Sequence, residues 1–425
     1  MSASFHRAVN VLKKMIDTPI ASYFNSCLHC GLCAEACLFY TETGDPKYAP
    51  IYKLEPLRRL YQQEYTLMGR MARLFGLSRP VTATEFEDWK TLVYDSCTLC
   101  GRCSLVCPTG NDIVSMVKCL REGMAIAGHA PQGMIDVTKR TLETGSPMGI
   151  TWSALQRKIE NIKTETGLEI PLNQEGAEYM LVISSLEIAH FPGFLTAVSK
   201  IMRQAKKTWT LCSDAFEASN SGVHIGVSDI AKEIVSRIVA GAEKLRVKTV
   251  ISSECGHAFT ALRWDGPNLI ERPYRFRVRH IVEVLDEFRK QGLLQTIGHE
   301  EARLTFHDPC QLARMGGVLE PQRKLLKMVA SDFVEMPDSG EYNWCCGGGG
   351  GVSDNEDAKE LRLVAFTRKR AQLEAVNARR LVTACANCRI VLGEGMQHHQ
   401  MNVPLLGLTE LIANYLLETT AGGTE

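Results

Sequence analysis

Neither sign of charge predominates in this chain: 48 Lys and Arg are matched by 48 Asp and Glu over 425 residues. A balance of zero argues against a generic nucleic-acid binder, which needs a basic face. Long hydrophobic runs are missing as well. No apolar stretch approaches the roughly 18 residues of a membrane-spanning helix, so no membrane span of its own is expected. The opening residues Met1–Arg7 lack the charged region and apolar stretch of an export signal. A cytoplasmic location is expected, or attachment to a membrane through a partner. No dinucleotide fingerprint is present, so flavin or nicotinamide must come from partners. What remains is an ordinary globular composition, 45% apolar and 23% charged, with length for two or three domains.

Cysteine is the exception. There are 16, and 13 of them fall in clusters. In a large chain without an export signal, cysteines at two-residue spacings point to metal rather than to disulfides. Two quartets occupy the first 107 residues, at 27, 30, 33, 37 and at 97, 100, 103, 107. Cys119, Cys212 and Cys255 stand singly, and a third group follows at 310, 345, 346, 385 and 388.

Between the clusters the pattern changes character. The N-terminal part reads as helical: an apolar stripe over 8–16, helices over 54–65 and 66–75, and another over 113–127 ended by Gly128. Residues 178–185 and 247–253 read as strands flanking a helix whose apolar positions run from Ile230 to Leu245. Residues 303–307 and 380–384 read as strands on either side of a helix over 357–378. Strand, helix, strand in parallel order implies a sheet covered by helices, with ligands outside the carboxyl ends of its strands. Cys212 to Cys255 and Cys345 to Cys388 are both 43 residues apart, with Trp209 and Trp344 just upstream. We read this as a duplication. The expected fold is an α-helical two-cluster ferredoxin domain over 1–145, a linker over 146–176 that includes a helix-like piece around 152–162, and an α/β domain of two duplicated lobes, 177–297 and 298–425.

Each quartet has the Cys-x2-Cys-x2-Cys-x3-Cys spacing of bacterial [4Fe–4S] ferredoxins. Three cysteines at intervals of three wrap one face of a cubane, and the fourth reaches the neighbouring cluster. Cys27, Cys30, Cys33 and Cys107 are therefore expected to hold one [4Fe–4S] cluster, and Cys97, Cys100, Cys103 and Cys37 the other. Gly31 and Gly101 leave room for backbone amides to approach sulfide. Zinc is the competing reading, but zinc sites use cysteine pairs separated by a dozen or more residues.

The third group is different. Adjacent Cys345 and Cys346 do not both face one small ion without strain, but they suit two irons of a larger cluster. The run Gly347–Gly351 is either a flexible turn or a path for amides to approach sulfide, with Gly347 and Gly348 as the candidate cofactor-binding positions. It lacks the Gly-Lys-Ser/Thr ending of a phosphate loop. Cys310, Cys345-Cys346-Gly347 and Cys385-x2-Cys388, with the stretches HDPCQLARMGGVLEPQR, NWCCGGGGGV, TACANCR and SSECGHAF, resemble the CCG-domain iron–sulfur oxidoreductases of the heterodisulfide reductase (HdrB/HdrD-type) family. The likeness is to the fused members above all, among them the DsrK-like catalytic subunits and subunits of Hdr-like complexes of sulfur oxidisers. The resemblance implies a third cluster, [4Fe–4S]-type or non-cubane, on Cys310, Cys345, Cys346, Cys385 and Cys388, where a disulfide is reduced or a dithiol oxidised. It also implies partners: other subunits of such a complex, a flavoprotein, and a sulfur carrier or small disulfide.

By the 43-residue register, Ser213 and Ser252 replace two of the cysteines in lobe one, which is therefore expected to hold no iron. Its polar residues Asp214, Glu217, Asn220, Glu254, His257 and Arg263 either handle protons for lobe two or stabilise the lobe interface. Glu254 and His257 are the acid–base candidates. Cys212 and Cys255 are either redox-active or buried and inert, and Cys119 is expected in the core. His307 and Asp308 either orient the cluster or cap a turn. The alternative function is an electron-transfer subunit of a flavin-linked glycerol-3-phosphate, lactate or glycolate dehydrogenase, delivering electrons to quinone.

Overall fold

In the computed structural model of the protein, which describes residues 3–417, the N-terminal part is helical. Helices span Ala3–Met15, Pro50–Tyr65, Leu67–Leu74 and Ile113–Ala127. The break between the second and third falls at Thr66, whose side chain accepts from the Gly69 amide and caps the next helix. Ala3–Met15 lies along Ile113–Ala127 at close range, because Gly123 has no side chain to meet Leu12; a Cβ there would stand 2.3 Å from Leu12 Cδ2. A π-turn over Thr91–Asp95 directs Val93, Tyr94 and Asp95 inward just before the second quartet.

The chain divides into two units. One holds the residues up to Thr138 together with Ser221–Asp229 and Trp344–Lys369; the other holds Lys139–Asn220, Ile230–Asn343 and the chain from Arg370 on. This division departs from the boundaries expected at 145 and 297. Two later segments complete the N-terminal unit because its buried groups need them: Arg121, fully buried, donates to the carbonyls of His224 and Gly350.

The second unit contains two parallel sheets. Strands β1 (Tyr179–Val182), β2 (Trp209–Thr210), β3 (Thr249–Ser252) and β4 (Arg277–His280) lie in the order β2-β1-β3-β4. Strands β5 (Leu304–His307), β6 (Arg380–Thr383) and β7 (Leu405–Gly407) lie in the order β5-β6-β7. A parallel bridge from Leu304 to Phe333 adds at β5 what β2 adds at β1. Strands β1, β3, β5 and β6 are almost wholly buried on both faces, as covered parallel sheets require. Helix Gly193–Gln204 packs on Leu408–Asn414, and Ile281–Lys290 on Pro321–Val329, so the sheets share one core.

Two expectations are corrected. Residues 146–176 do more than link: the helix-like piece read around 152–162 is the helix Trp152–Thr166, whose Leu155, Ile159 and Ile162 join the core beneath the first sheet. The 43-residue register also fails. Trp209 pairs beside β1 where Phe333 pairs beside β5, so Trp209 is not the counterpart of Trp344. Cys255 and Cys385 each stand at the N-cap of the helix that follows the central strand, so Cys255 corresponds to Cys385 and not to Cys388. Equal spacing arose from unequal loops.

Candidate metal centres

In the first unit the two quartets repeat one backbone path. Cys27 ends the helix Thr18–Ser26, and Cys37 starts the helix Leu38–Thr43. His29 and Leu99 take positive φ of 53° and 54°, and Gly31 and Gly101 follow at 83° and 76°. Two left-handed residues in each run turn amides toward one concave face, the geometry that receives anions and sulfide. One cavity is lined by Cys27, Cys30, Cys33 and Cys107 among apolar side chains that include Leu28, Leu54 and Met116. A second is lined by Cys37, Cys97, Cys100 and Cys103 with Phe39, Ile113 and Val117. The fourth cysteine of each run thus lies with the first three of the other.

Such crowding disfavours four free thiolates. Burial pushes the Cys33 thiol up, and the nearness of Cys27, Cys30 and Cys107 adds to it. Cys103 is raised in the same way by burial and then by Cys100, Cys97 and Cys37. At Cys107 burial also works upward, but the Thr109 hydroxyl and the amides of Asn111, Thr109 and Gly110 outweigh it and hold the thiol below its ordinary value. Four thiols around an apolar hollow fit a cluster whose irons supply the missing positive charge.

Two cations stand here that no motif announces. Lys53, 2% exposed, donates to the Ser96 carbonyl and lies 3.8 Å from Cys37 Sγ. Arg121 donates to the carbonyls of Val93 at 2.9 Å and of Cys97, Gly350 and His224 at 2.6, 2.6 and 2.7 Å. Lys53 stands in the first turn of its helix and Arg121 in the middle of its own, and only tertiary contacts reveal them.

Cys345 and Cys346 belong to the segment that completes this first unit. The Gly347 amide points at Cys345 Sγ, 3.4 Å away. Gly348 is buried in the loop, where its carbonyl accepts from Ser353. Gly350, at φ 59°, comes so close to the second quartet that a Cβ would meet the Thr98 backbone at 3.0 Å. Just before the cysteines, Trp344 is buried between the guanidinium of Arg102, 3.5 Å from its ring centre, and that of Arg368, at 4.7 Å. The loop bearing the cysteine pair is therefore seated on the loop of the second quartet.

In the second unit, Cys310, Cys385 and Cys388 are buried past the carboxyl ends of β5 and β6. Cys385 is held below its ordinary value by the Cys388 side chain first, then, against burial, by the amides of Cys388, Gly256 and Asn387. The Gly256 amide of lobe one thus lies within electrostatic reach of a lobe-two thiol, and the Ala386 amide donates across to the Glu254 carbonyl at 2.8 Å. Gly256 also lets the loop after Cys310 pack closely, since a Cβ would meet Gln311 Cβ and the Leu312 amide at 2.8 Å. Asp308 is buried, accepts from Arg323 at 2.8 and 2.9 Å and from the Gly340 amide at 2.7 Å, and so braces the loop before Trp344. His307 is fully buried, and its carbonyl accepts from Thr383.

The acid–base candidates separate here. Glu254 is buried and accepts from the Thr409 amide at 2.7 Å and hydroxyl at 2.8 Å, while its own amide donates to Glu187. Burial pushes its carboxyl up to about 8, against Arg389 and the Thr409 bonds, and pushes Glu187 up to about 7. His257 is partly exposed at the start of the helix Gly256–Thr260. The remaining polar residues serve local structure: Asp214 pairs with Lys244, Arg263 with Glu283, and Asn220 donates to the Ala231 carbonyl. Glu217 is buried and bonded to Ser185. Cys212 packs against Gly241, and burial raises its thiol. Burial raises Cys119 to about 12. Cys255 is raised by burial first and by Cys385 next.

Residues 23–111 match the family model described as a 4Fe-4S dicluster domain, and residues 304–393 match the cysteine-rich domain CCG. The chain is 26% identical over 451 residues to an Hdr-like menaquinol oxidoreductase iron-sulfur subunit of Archaeoglobus profundus, covering 94% of this chain and 80% of that one. It is 28% identical over 409 residues to a subunit of the dihydromethanophenazine:CoB–CoM heterodisulfide reductase of Methanosarcina acetivorans, covering 92% and 94%. It is 23% identical over 407 residues to the EtfAB:quinone oxidoreductase of Syntrophomonas wolfei, covering 88% and 55%. Multiple iron–sulfur clusters are thus the cofactors of this chain.

Proposed function

We propose, from the 4Fe-4S dicluster and CCG domains that make this chain an iron–sulfur oxidoreductase of the heterodisulfide reductase type, that it is the sulfur-handling subunit of an Hdr-like complex. Cys27, Cys30, Cys33 and Cys107 hold one [4Fe–4S] cluster; Cys37, Cys97, Cys100 and Cys103 hold a second. Cys310, Cys345, Cys346, Cys385 and Cys388 hold a third, with Gly347 and Gly348 bringing backbone to it. When bound, the clusters supply one-electron relays and a site where a disulfide takes up two electrons and two protons to give two thiols, or the reverse. Glu254 and His257 handle those protons. The two lobes are copies of one α/β unit, of which lobe one carries no iron and instead brings the Gly256 amide within electrostatic reach of Cys385.

The observation that carries this reading is the seating of the cysteine-pair loop on the second quartet, through Arg121 between the carbonyls of Cys97 and Gly350. That contact makes a short path between a relay cluster and the CCG cysteines. The electrons come from other subunits of the complex, a flavoprotein or quinol-linked protein among them, and the substrate is a small disulfide or a sulfur carrier. The chain works in the cytoplasm or at a membrane through such a partner; among the described residues no helix is long and apolar enough to cross one. A second reading is supported by the likeness to an EtfAB:quinone oxidoreductase: electron transfer toward quinone, with the chemistry on a flavin partner.

Iron and sulfide analysis after anaerobic purification tests the ligand sets. Three four-iron clusters give about twelve irons. About eight would remove the third cluster, and stoichiometric zinc without broad visible absorbance would remove all three.

A further inference from the structure

The two quartets share a backbone path but not an electrostatic setting. Beside the first, Arg58 is the near cation, half-buried and already paired with Glu55 at 2.7 and 2.9 Å. Cys30 of that set is exposed. Beside the second stand Lys53 and Arg121, both buried. Their hydrogen bonds run to the carbonyls of Ser96, Val93, Cys97, His224 and Gly350 and to Cys37 Sγ, and none runs to a carboxylate among the described residues. Asp95 lies within electrostatic reach of Arg121, and its carboxylate accepts from Asn355 rather than from Arg121. Two buried cations without ion-pair partners are costly unless an anionic group compensates them.

We propose that Lys53 and Arg121 are positioning residues that give the cluster on Cys37, Cys97, Cys100 and Cys103 the higher reduction potential of the two, and so direct electrons from the first quartet toward the loop of Cys345 and Cys346. The inference rests on the ligand sets proposed above. A four-thiolate cluster is anionic, and reduction adds one more negative charge. Fixed positive charge in a low-dielectric surrounding stabilises the reduced form more than the oxidised one. One electron leaves the first set as one arrives at the second, and a flavin- or quinol-linked partner replaces it. The second set is also the one that Gly350 touches, so the electron comes to rest where the cysteine-pair loop is nearest.

The test is a reductive titration of the full chain followed by electron paramagnetic resonance, after iron analysis. Lys53→Met is compared with Lys53→Arg, which keeps the charge, and with wild type. In Lys53→Met the higher-potential reduction should be at least tenfold less favourable, about 59 mV for a one-electron couple, with the lower-potential step unmoved. Lys53→Arg should stay near wild type. A fully loaded Lys53→Met protein with both steps unmoved, or with only the lower step shifted, overturns the inference while leaving the ligand sets intact. A wild type without two cubanes overturns the ligand sets instead. Should Lys53→Met lose iron, Lys53→Gln carries the same two outcomes.

Discussion

Cys37 begins a helix that belongs to the first quartet in sequence, yet its thiol lines the cavity of Cys97, Cys100 and Cys103. Cys37→Ser should therefore alter the same resonance signal as Cys100→Ser, and leave the signal that Cys30→Ser alters. Identical spectra from Cys37→Ser and Cys30→Ser would contradict the exchange. Glu254 supports a second prediction. Its folded value near 8 stands above the ~4.3 of an exposed glutamate, so folding takes up a proton between those values. Its contribution to stability is complete below about pH 4 and is lost as pH rises through 8, with Glu187 adding to the trend lower down. The melting temperature of the wild type should fall further between about pH 6 and 9 than that of Glu254→Gln. Parallel curves would show that Glu254 is ionised throughout. At this scale the quartets were legible because ligand spacing is a local constraint. Lys53 and Arg121 were not, because a lysine or arginine on a helix looks ordinary until its burial and contacts are known.

Among the elements, two glycines of the cysteine loops carry close approaches. Gly256→Ala pushes a Cβ into Gln311 and Leu312, just past Cys310, and overpacking of that kind costs about 1–3 kcal/mol. The melting point should drop, and iron should fall toward the content of the two quartets alone. Retention of full iron at wild-type stability would show that the lobes yield there. Gly350→Ala combines a positive φ with the Thr98 contact. It should slow electron passage beyond the quartets in stopped-flow reduction by tenfold or more, with their own reduction unchanged; an unchanged rate would take this loop off the path. The helices over 54–65, 66–75 and 113–127 were readable from periodicity, with Gly128 marking the end of the last, although the first begins at Pro50 and the Thr66 cap between the first two went unread. Strands β2 and β7 escaped because two or three residues are too few for a periodic signal, and β4 because Arg277, Arg279 and His280 leave it a single apolar residue. The 43-residue coincidence misled because it counted residues through loops of unequal length, whereas sheet register follows hydrogen bonds.

For the whole molecule, the order of a helical cysteine-rich part and an α/β part was visible in composition and pattern. What the linear order concealed is that Ser221–Asp229 and Trp344–Lys369 complete the first unit. Short segments that join another body leave no local trace; the reason is tertiary, in the carbonyls they present to Arg121. Cys345 and Cys346 therefore share a unit with the relay cysteines, and this leads to the central claim, that sulfur chemistry takes place at the CCG cysteines and is fed by the quartets. Turnover of a disulfide or dithiol by the complex containing Cys346→Ser tests it most directly, with the quartet clusters titrated in the same sample. The account predicts that turnover is abolished while both quartet clusters remain present and reducible by an artificial donor, since all eight of their cysteines are intact. A Cys346→Ser protein that has lost the third cluster and still turns over at the wild-type rate would contradict it, and would place the chemistry on a partner.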